Sequence, residues 1–178
     1  GIGNVTRALR EHGMWDDAVV LFCGDNGGAD KNNNYPLRGG KYKPWEGGYR
    51  VLAALSGGVV ERSPNAGKTF DGAVHISDWY PTFTALAGGD PTDDPPAEAT
   101  DDEFFYPVDG KDVWAFVTAN GADPRADSVP MVLGSPGAQD GNSTGRSGGA
   151  DFGASSLGGA MIVGHHKLVV EAAQNEWD

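Results

Sequence analysis

The run Ala18-Val19-Val20-Leu21-Phe22-Cys23, closed by Gly24-Asp25-Asn26-Gly27-Gly28, constrains the fold more than any other segment. It has strand length and is rich in strand formers. An apolar run without alternation leaves no face for water, so it predicts a central parallel strand buried on both sides. A polar, glycine-rich loop at the carboxyl end of such a strand is where open α/β sheets carry their sites. The flanks agree. Over residues 2–12, Ile2, Val5, Ala8 and Leu9 share one helical face, and Gly13 is a stop signal. Arg50 to Leu55 predicts a second short strand, ended by Ser56-Gly57-Gly58. A helix is expected over Ile76 to Ala87, with Ser77 or Asp78 as cap, Pro81 near its first turn and Gly88-Gly89 at its end. Val129 to Leu133 and Ala160 to Val170, the latter broken at Gly164-His165-His166-Lys167, read as antiparallel strands. Between them lie residues 134–159, where 14 of 26 are Gly or Ser, a flexible connection. Two strands leave a parallel sheet with uncovered faces and edges, so the isolated chain is expected to fold poorly or to associate.

Charge narrows the partners. The chain has 178 residues and a formal net charge of −12. Residues 1–89 carry nine acids and nine bases, so residues 90–178, with sixteen acids and four bases, hold the whole excess. Within the neutral half, Lys31, Arg38, Lys41, Lys43 and Arg50 face only Glu46 over residues 31–50. A local basic patch suits a small anion, whereas a nucleic acid would want basic charge across a whole face. Nucleic acid is therefore not expected as a partner. Residues 90–112 hold nine acids and four prolines and read as a solvated loop. The longest apolar runs fall far short of the ~20 residues that a membrane span needs. A single cysteine excludes a disulfide framework and a Cys-rich zinc site. No signal peptide opens the sequence, and Gly1 leads to the expectation that the natural start lies upstream.

Few residues can carry chemistry. Asp25 and Asn26 place a carboxylate and an amide oxygen side by side, a start for a hard divalent cation, but Ca2+ takes six to eight oxygens. The competing reading is an Asp-Asn-Gly turn whose side chains bond their own backbone. Lys41 stands among glycines that allow close backbone approach and offers a point charge to an anion; the competing reading is a solvated lysine. Trp45 reads as a packing residue and Glu46 as a loop acceptor. His12 suits a helix C-terminus, His75 a structural position before a helix, and His165-His166 a turn. Cys23, within the buried strand, reads as inert. Asn4-Val5-Thr6 and Asn142-Ser143-Thr144 are weak glycosylation sequons at Asn4 and Asn142.

Together, Cys23-Gly24-Asp25-Asn26-Gly27-Gly28, Pro36-Leu37-Arg38-Gly39-Gly40-Lys41, Trp45-Glu46-Gly47-Gly48 and Arg50 resemble the sulfatases, in particular the arylsulfatase B (N-acetylgalactosamine-4-sulfatase) branch. Gly3-Asn4-Val5-Thr6, His75-Ile76-Ser77-Asp78-Trp79 and Asp109-Gly110 with Asp112-Val113-Trp114 match in order and spacing. The resemblance is dense over residues 1–114 and thins to the strand pair around His166-Lys167-Leu168. It implies an α/β, alkaline-phosphatase-like core, present in part, with a smaller C-terminal antiparallel-sheet subdomain. On that reading residues 1–89 are the C-terminal part of the core, 90–112 the acidic loop, and 113–178 the subdomain with its Gly/Ser-rich stretch 134–159.

The resemblance also implies function. Asp25 and Asn26 map onto Ca2+ ligands, and Lys41 onto the lysine that binds the substrate's sulfate group and acts in catalysis. The other calcium ligands and the formylglycine nucleophile, made from a C-x-P-S-R type motif, are expected upstream of Gly1. Cys23 has no Pro or Arg at the required positions and is not that nucleophile. The expected substrate is a sulfate ester, in particular of a sugar, and the expected location secreted or lysosomal. The segment alone is expected to be inactive. The alternatives are a non-catalytic fragment or pseudo-enzyme, an acidic calcium-associated module, and a phosphoryl-transfer relative on the same fold.

Overall fold

The computed structural model of the chain describes residues 1–29, 33–41, 45–92, 108–127, 129–134 and 158–170. The chain divides into two compact units: Gly1–Leu21 with Leu55–Ala126, and Phe22–Ala54 with Asp127–Asp178.

The first unit begins with helix α1 (Ile2–Glu11), and Gly13, at φ +66°, ends it in the left-handed conformation that the sequence anticipates. Ile2 and Val5 on its apolar stripe are nonetheless half exposed. A 3-10 turn (Trp15–Asp17) buries Trp15, whose ring carries the Arg10 guanidinium 3.6 Å from its centroid and whose Nε1 donates to Glu61 at 3.1 Å. Glu61 ends the short helix α3 (Gly58–Glu61). A second 3-10 turn (Ile76–Asp78) leads into α4 (Trp79–Leu86), and Gly88 stands at φ +77° beyond it. Helix α5 (Trp114–Ala119) packs Phe116 edge-on to Phe70, with ring centroids 4.8 Å apart.

Asp78 holds the N-cap position of α4, as one of the two expected residues, but its side chain makes no cap bond to that helix. The N-cap of the 3-10 turn is His75: its Nδ1 accepts from the Ser77 amide at 3.3 Å, while Asp78 Oδ2 accepts from the His75 amide at 2.8 Å. Asp78 is drawn into the interior instead. It is completely buried and binds Arg125 through Nε at 2.8 and 2.9 Å and through a further terminal-nitrogen contact. It also accepts from the Lys111 amide at 2.9 Å. A buried carboxylate needs such partners, and the His75 amide alone would not supply them. Thr82 completes the buried polar layer: its hydroxyl donates to Asp78 O at 2.6 Å and accepts from the Val113 amide at 3.0 Å.

Strands β1 (Val20–Cys23) and β2 (Ala53–Ser56) pair with each other. The Gly24 amide donates to Leu52 O at one end, and the Val59 amide to Ala18 O at the other, so the strands run in opposite directions. This corrects the expectation of a parallel strand buried on both faces: Phe22 is 43% exposed and Cys23 half-buried. An unbroken apolar run reports how much surface asks to be covered, not which way the neighbouring strand runs. The second strand also starts later than predicted, because residues 46–49 form a helical turn and Arg50 caps it.

The second unit holds that turn, α2 (Glu46–Tyr49), and a three-stranded sheet in the order β3 (Val129–Gly134), β4 (Gly158–Val163), β5 (His166–Val170). Both pairings are antiparallel, as the sequence led us to expect, with Val129 opposite Ile162, Met161 opposite Leu168, and a bulge between Pro130 and Val132. His165 lies in the tight turn between β4 and β5, where Gly164 has φ +56°. Residues 93–107 of the acidic loop and 135–157 of the Gly/Ser-rich stretch, with Asn142, lie outside the described residues.

Candidate functional site

The loop after β1 and the two segments downstream of it form one hydrogen-bonded cluster in the second unit. The Gly27 amide donates to Gly48 O at 2.9 Å, the Gly47 amide to Arg38 O at 2.8 Å, and the Lys41 amide to Gly28 O at 2.9 Å. Such approach requires bare backbone. A Cβ on Gly27 would overlap the carbonyl oxygen of Gly47, and one on Gly40 would lie 2.6 Å from Gly28 O. Three segments separated in sequence, 24–28, 34–41 and 45–50, are thereby fixed against one another.

Asn34 is the main side-chain tie. Its Oδ1 accepts from the Gly28 amide at 2.9 Å, and its Nδ2 donates to the carbonyls of Gly28 and Gly39, each at 3.1 Å. The only sequence signal for this tie is the run Asn32-Asn33-Asn34 beside a glycine loop. The Arg38 guanidinium carbon sits over the Trp45 ring, 3.9 Å from its centroid, which makes Trp45 the packing residue expected of it.

The predicted site residues come together at the level of the backbone. Asp25 is exposed and Asn26 half-buried at the tip of the first loop, and Lys41 is half-buried where its amide meets Gly28. The side chains of the pair engage locally: Asp25 Oδ1 accepts from the Asn26 amide at 2.9 Å, and Asn26 Nδ2 donates to Gly27 O at 2.9 Å. That is the Asp-Asn-Gly turn in physical form. As metal donors the two offer hard oxygens, which suits Ca2+, but they are two against the six to eight it takes. Among the described residues, no group of three or more His, Cys, Asp or Glu is placed to hold a metal ion. Asp25 and Asn26 therefore fit as part of a calcium shell, not as a whole one. His75 keeps to its capping role in the first unit, and Asn4 is exposed on α1, where its Oδ1 accepts from Arg7 at 2.8 Å.

An ionic cluster that the sequence did not announce adjoins α2. Glu46 Oε1 accepts from the Tyr49 hydroxyl at 2.6 Å and from Lys167 Nζ at 2.9 Å; Arg50 stands 3.6 Å from Oε2, and the Lys167 ammonium also contacts the Tyr49 hydroxyl. Burial would raise the Glu46 carboxyl. The hydrogen bonds from Tyr49 and Lys167, with the charges of Lys167 and Arg50, outweigh it and hold that carboxyl below its ordinary value. Burial, then the hydrogen bond and charge of Glu46, push the Tyr49 phenol upward. Glu46 is thus the acceptor expected of it, and ionised at neutral pH. Its partner Lys167 lies 121 residues away in sequence, beyond any spacing rule.

The Sulfatase family matches residues 1–89, which is half of the chain. The chain therefore belongs to the sulfatase family, and membership implies an alkaline-phosphatase-like fold for the core of which it is part. It is 32% identical over 133 residues to arylsulfatase J of Mus musculus, covering 74% of this chain and 20% of that protein. It is 37% identical over 97 residues to a sulfatase of Formosa agariphila, covering 49% of this chain and 17% of that one. Steryl-sulfatase of Mus musculus is 32% identical over 100 residues, covering 51% and 16%. The chain spans a fifth or less of the length of these relatives. No solved structure matches it. Among the described residues, no helix is long and apolar enough to cross a membrane.

Proposed function

We propose that the protein to which this chain belongs hydrolyses sulfate esters, and that residues 24–50 contribute part of its cation and sulfate site. The observation that carries the reading is the fixed cluster of the Asp25-Asn26 loop, the Lys41 backbone and α2, within a chain of the sulfatase family. During hydrolysis a sulfate ester keeps negative charge on its sulfuryl oxygens and gains it on the leaving oxygen. Cationic groups already in place stabilise that charge without reorganising. Lys41 holds the sulfate or the leaving oxygen through its ammonium, on a segment that Gly39 and Gly40 allow to pack against Trp45 and Gly28. The Asp25 carboxylate and the Asn26 amide oxygen would be two ligands of Ca2+, which supplies fixed positive charge beside the sulfuryl group.

The remaining ligands and the formylglycine nucleophile are assigned to segments outside this chain. Along the sequence, residues 1–89 are the family core, 90–112 an acidic loop and 113–178 a smaller subdomain, a division by sequence that differs from the two compact units. The resemblance of Pro36 to Arg50 to the arylsulfatase B branch favours a sulfated sugar as substrate. The sequons at Asn4, exposed on α1, and at Asn142 favour a secreted or lysosomal location.

The test is kinetic. In the full-length protein, Lys41→Ala lowers kcat/KM for para-nitrophenyl sulfate by about 10²- to 10³-fold, the usual loss on removing one oxyanion-stabilising group. Unchanged turnover would refute the role of Lys41.

A further inference from the structure

Helix α2 is a poor helix by itself. It is one turn long, two of its four residues are glycine, and its N-cap Trp45 makes no side-chain capping bond. Yet its backbone is what the candidate site rests on: Gly48 O receives the Gly27 amide, and the Gly47 amide reaches Arg38 O. Something other than helix propensity must hold this turn, and Glu46 and Tyr49 are its two residues with side chains. Both are gripped from β5. Lys167 donates to Glu46 Oε1 at 2.9 Å and to the Tyr49 hydroxyl, and its ammonium lies 4.6 Å from the centre of the Tyr49 ring. The contact is sheltered, with the Lys167 side chain 21% and that of Glu46 30% exposed. The ammonium is a compact charge with three donors, and it meets two oxygens and an aromatic face at once.

We infer that Lys167 is a positioning residue of the site: through Glu46 and Tyr49 it fixes the α2 turn against which the Asp25–Gly28 loop and the Arg38–Lys41 segment are hydrogen-bonded. On this view the C-terminal sheet sets the geometry of a loop more than a hundred residues earlier in the chain. The inference rests on the reading of that loop as the cation and sulfate site for its functional meaning, but not for its mechanics.

The test is amide hydrogen exchange on the full-length protein at neutral pH, in parallel with terbium luminescence as a probe for calcium binding. Lys167→Met is expected to speed exchange of the Gly27 and Gly47 amides by about tenfold, while Val117 and Ala87 in the first unit stay as they were. Lys167→Arg, which keeps charge and donors, should recover most of the protection, a rescue that loss of side-chain packing alone would not give. If Lys167→Met also speeds Val117 and Ala87, the milder Glu46→Gln decides by the same two amides. Unchanged exchange at Gly27 and Gly47 overturns the inference whatever terbium does. Faster exchange with no terbium binding by the unmodified full-length protein supports it and removes the calcium reading instead.

Discussion

Arg125→Met should be the most damaging single change in the first unit. The Asp78 carboxylate is fully buried and takes Arg125 Nε on both oxygens, at 2.8 and 2.9 Å, with the amides of His75 and Lys111. Methionine keeps much of the arginine stem's bulk but leaves an ionised carboxylate with two backbone donors. Breaking one side of a buried pair costs about 3–5 kcal/mol. The two amides remain as charge-assisted hydrogen bonds, which places the expected loss near the lower end, about 3 kcal/mol. In a chain of this size each kcal/mol moves Tm by about 2–4 °C, so a fall of about 6–12 °C is expected in thermal unfolding followed by circular dichroism. Adding Asp78→Asn removes the stranded charge and should recover at least half of the deficit. A single variant melting within about 2 °C of the unmodified protein, or a double variant worse than the single, would refute the electrostatic argument.

Gly27→Ala should cost about 1–3 kcal/mol by urea unfolding, because the new methyl overlaps the Gly47 carbonyl and must push α2 away. Faster exchange of the Lys41 amide should accompany it, and an unaltered urea midpoint would show that the loops are not held as described. The Glu46 cluster should fail at both extremes of pH. Glu46 has a lowered carboxyl, so its contribution is present above its ordinary value of 4.5 and lost as pH falls through the lower folded value. Tyr49 is raised, so its contribution is present below 10.0 and lost as pH climbs towards the folded value. The Tm difference between Glu46→Gln and the unmodified protein should therefore shrink in acid, and Tyr49→Phe should remove the last step of the phenolate absorbance titration. A Tm difference that does not change with pH would exclude the ion pair as its cause.

Local signals were legible wherever a local rule sufficed. Helix α1 and the left-handed Gly13 after it, the glycine stop after α4 and the hairpin of β4 and β5 follow from periodicity and turn chemistry. So does the loop Asp25-Asn26-Gly27-Gly28 at the end of β1. Its side chains bond local backbone, as an Asp-Asn-Gly turn should. Asn34 was visible only as a loop asparagine, since nothing in its neighbours says that it will meet Gly28 and Gly39. Asp78 stands at the N-cap of α4 as the sequence allowed, but its carboxylate turns back to the His75 amide and to a buried arginine, a pairing that capping preferences do not record.

The sequence by itself determined the family, the polar loop at the end of β1, and the glycines that make close backbone approach sterically possible. Those are properties of residue type and local pattern. Tertiary structure alone decided the antiparallel sense of β1 and β2, the burial of Asp78 with Arg125, and the grip of Lys167 on Glu46 and Tyr49. The physical reason is the same in each case. Strand direction and ion pairing depend on which distant segment arrives alongside, and hydropathy and propensity carry no record of a partner dozens of residues away.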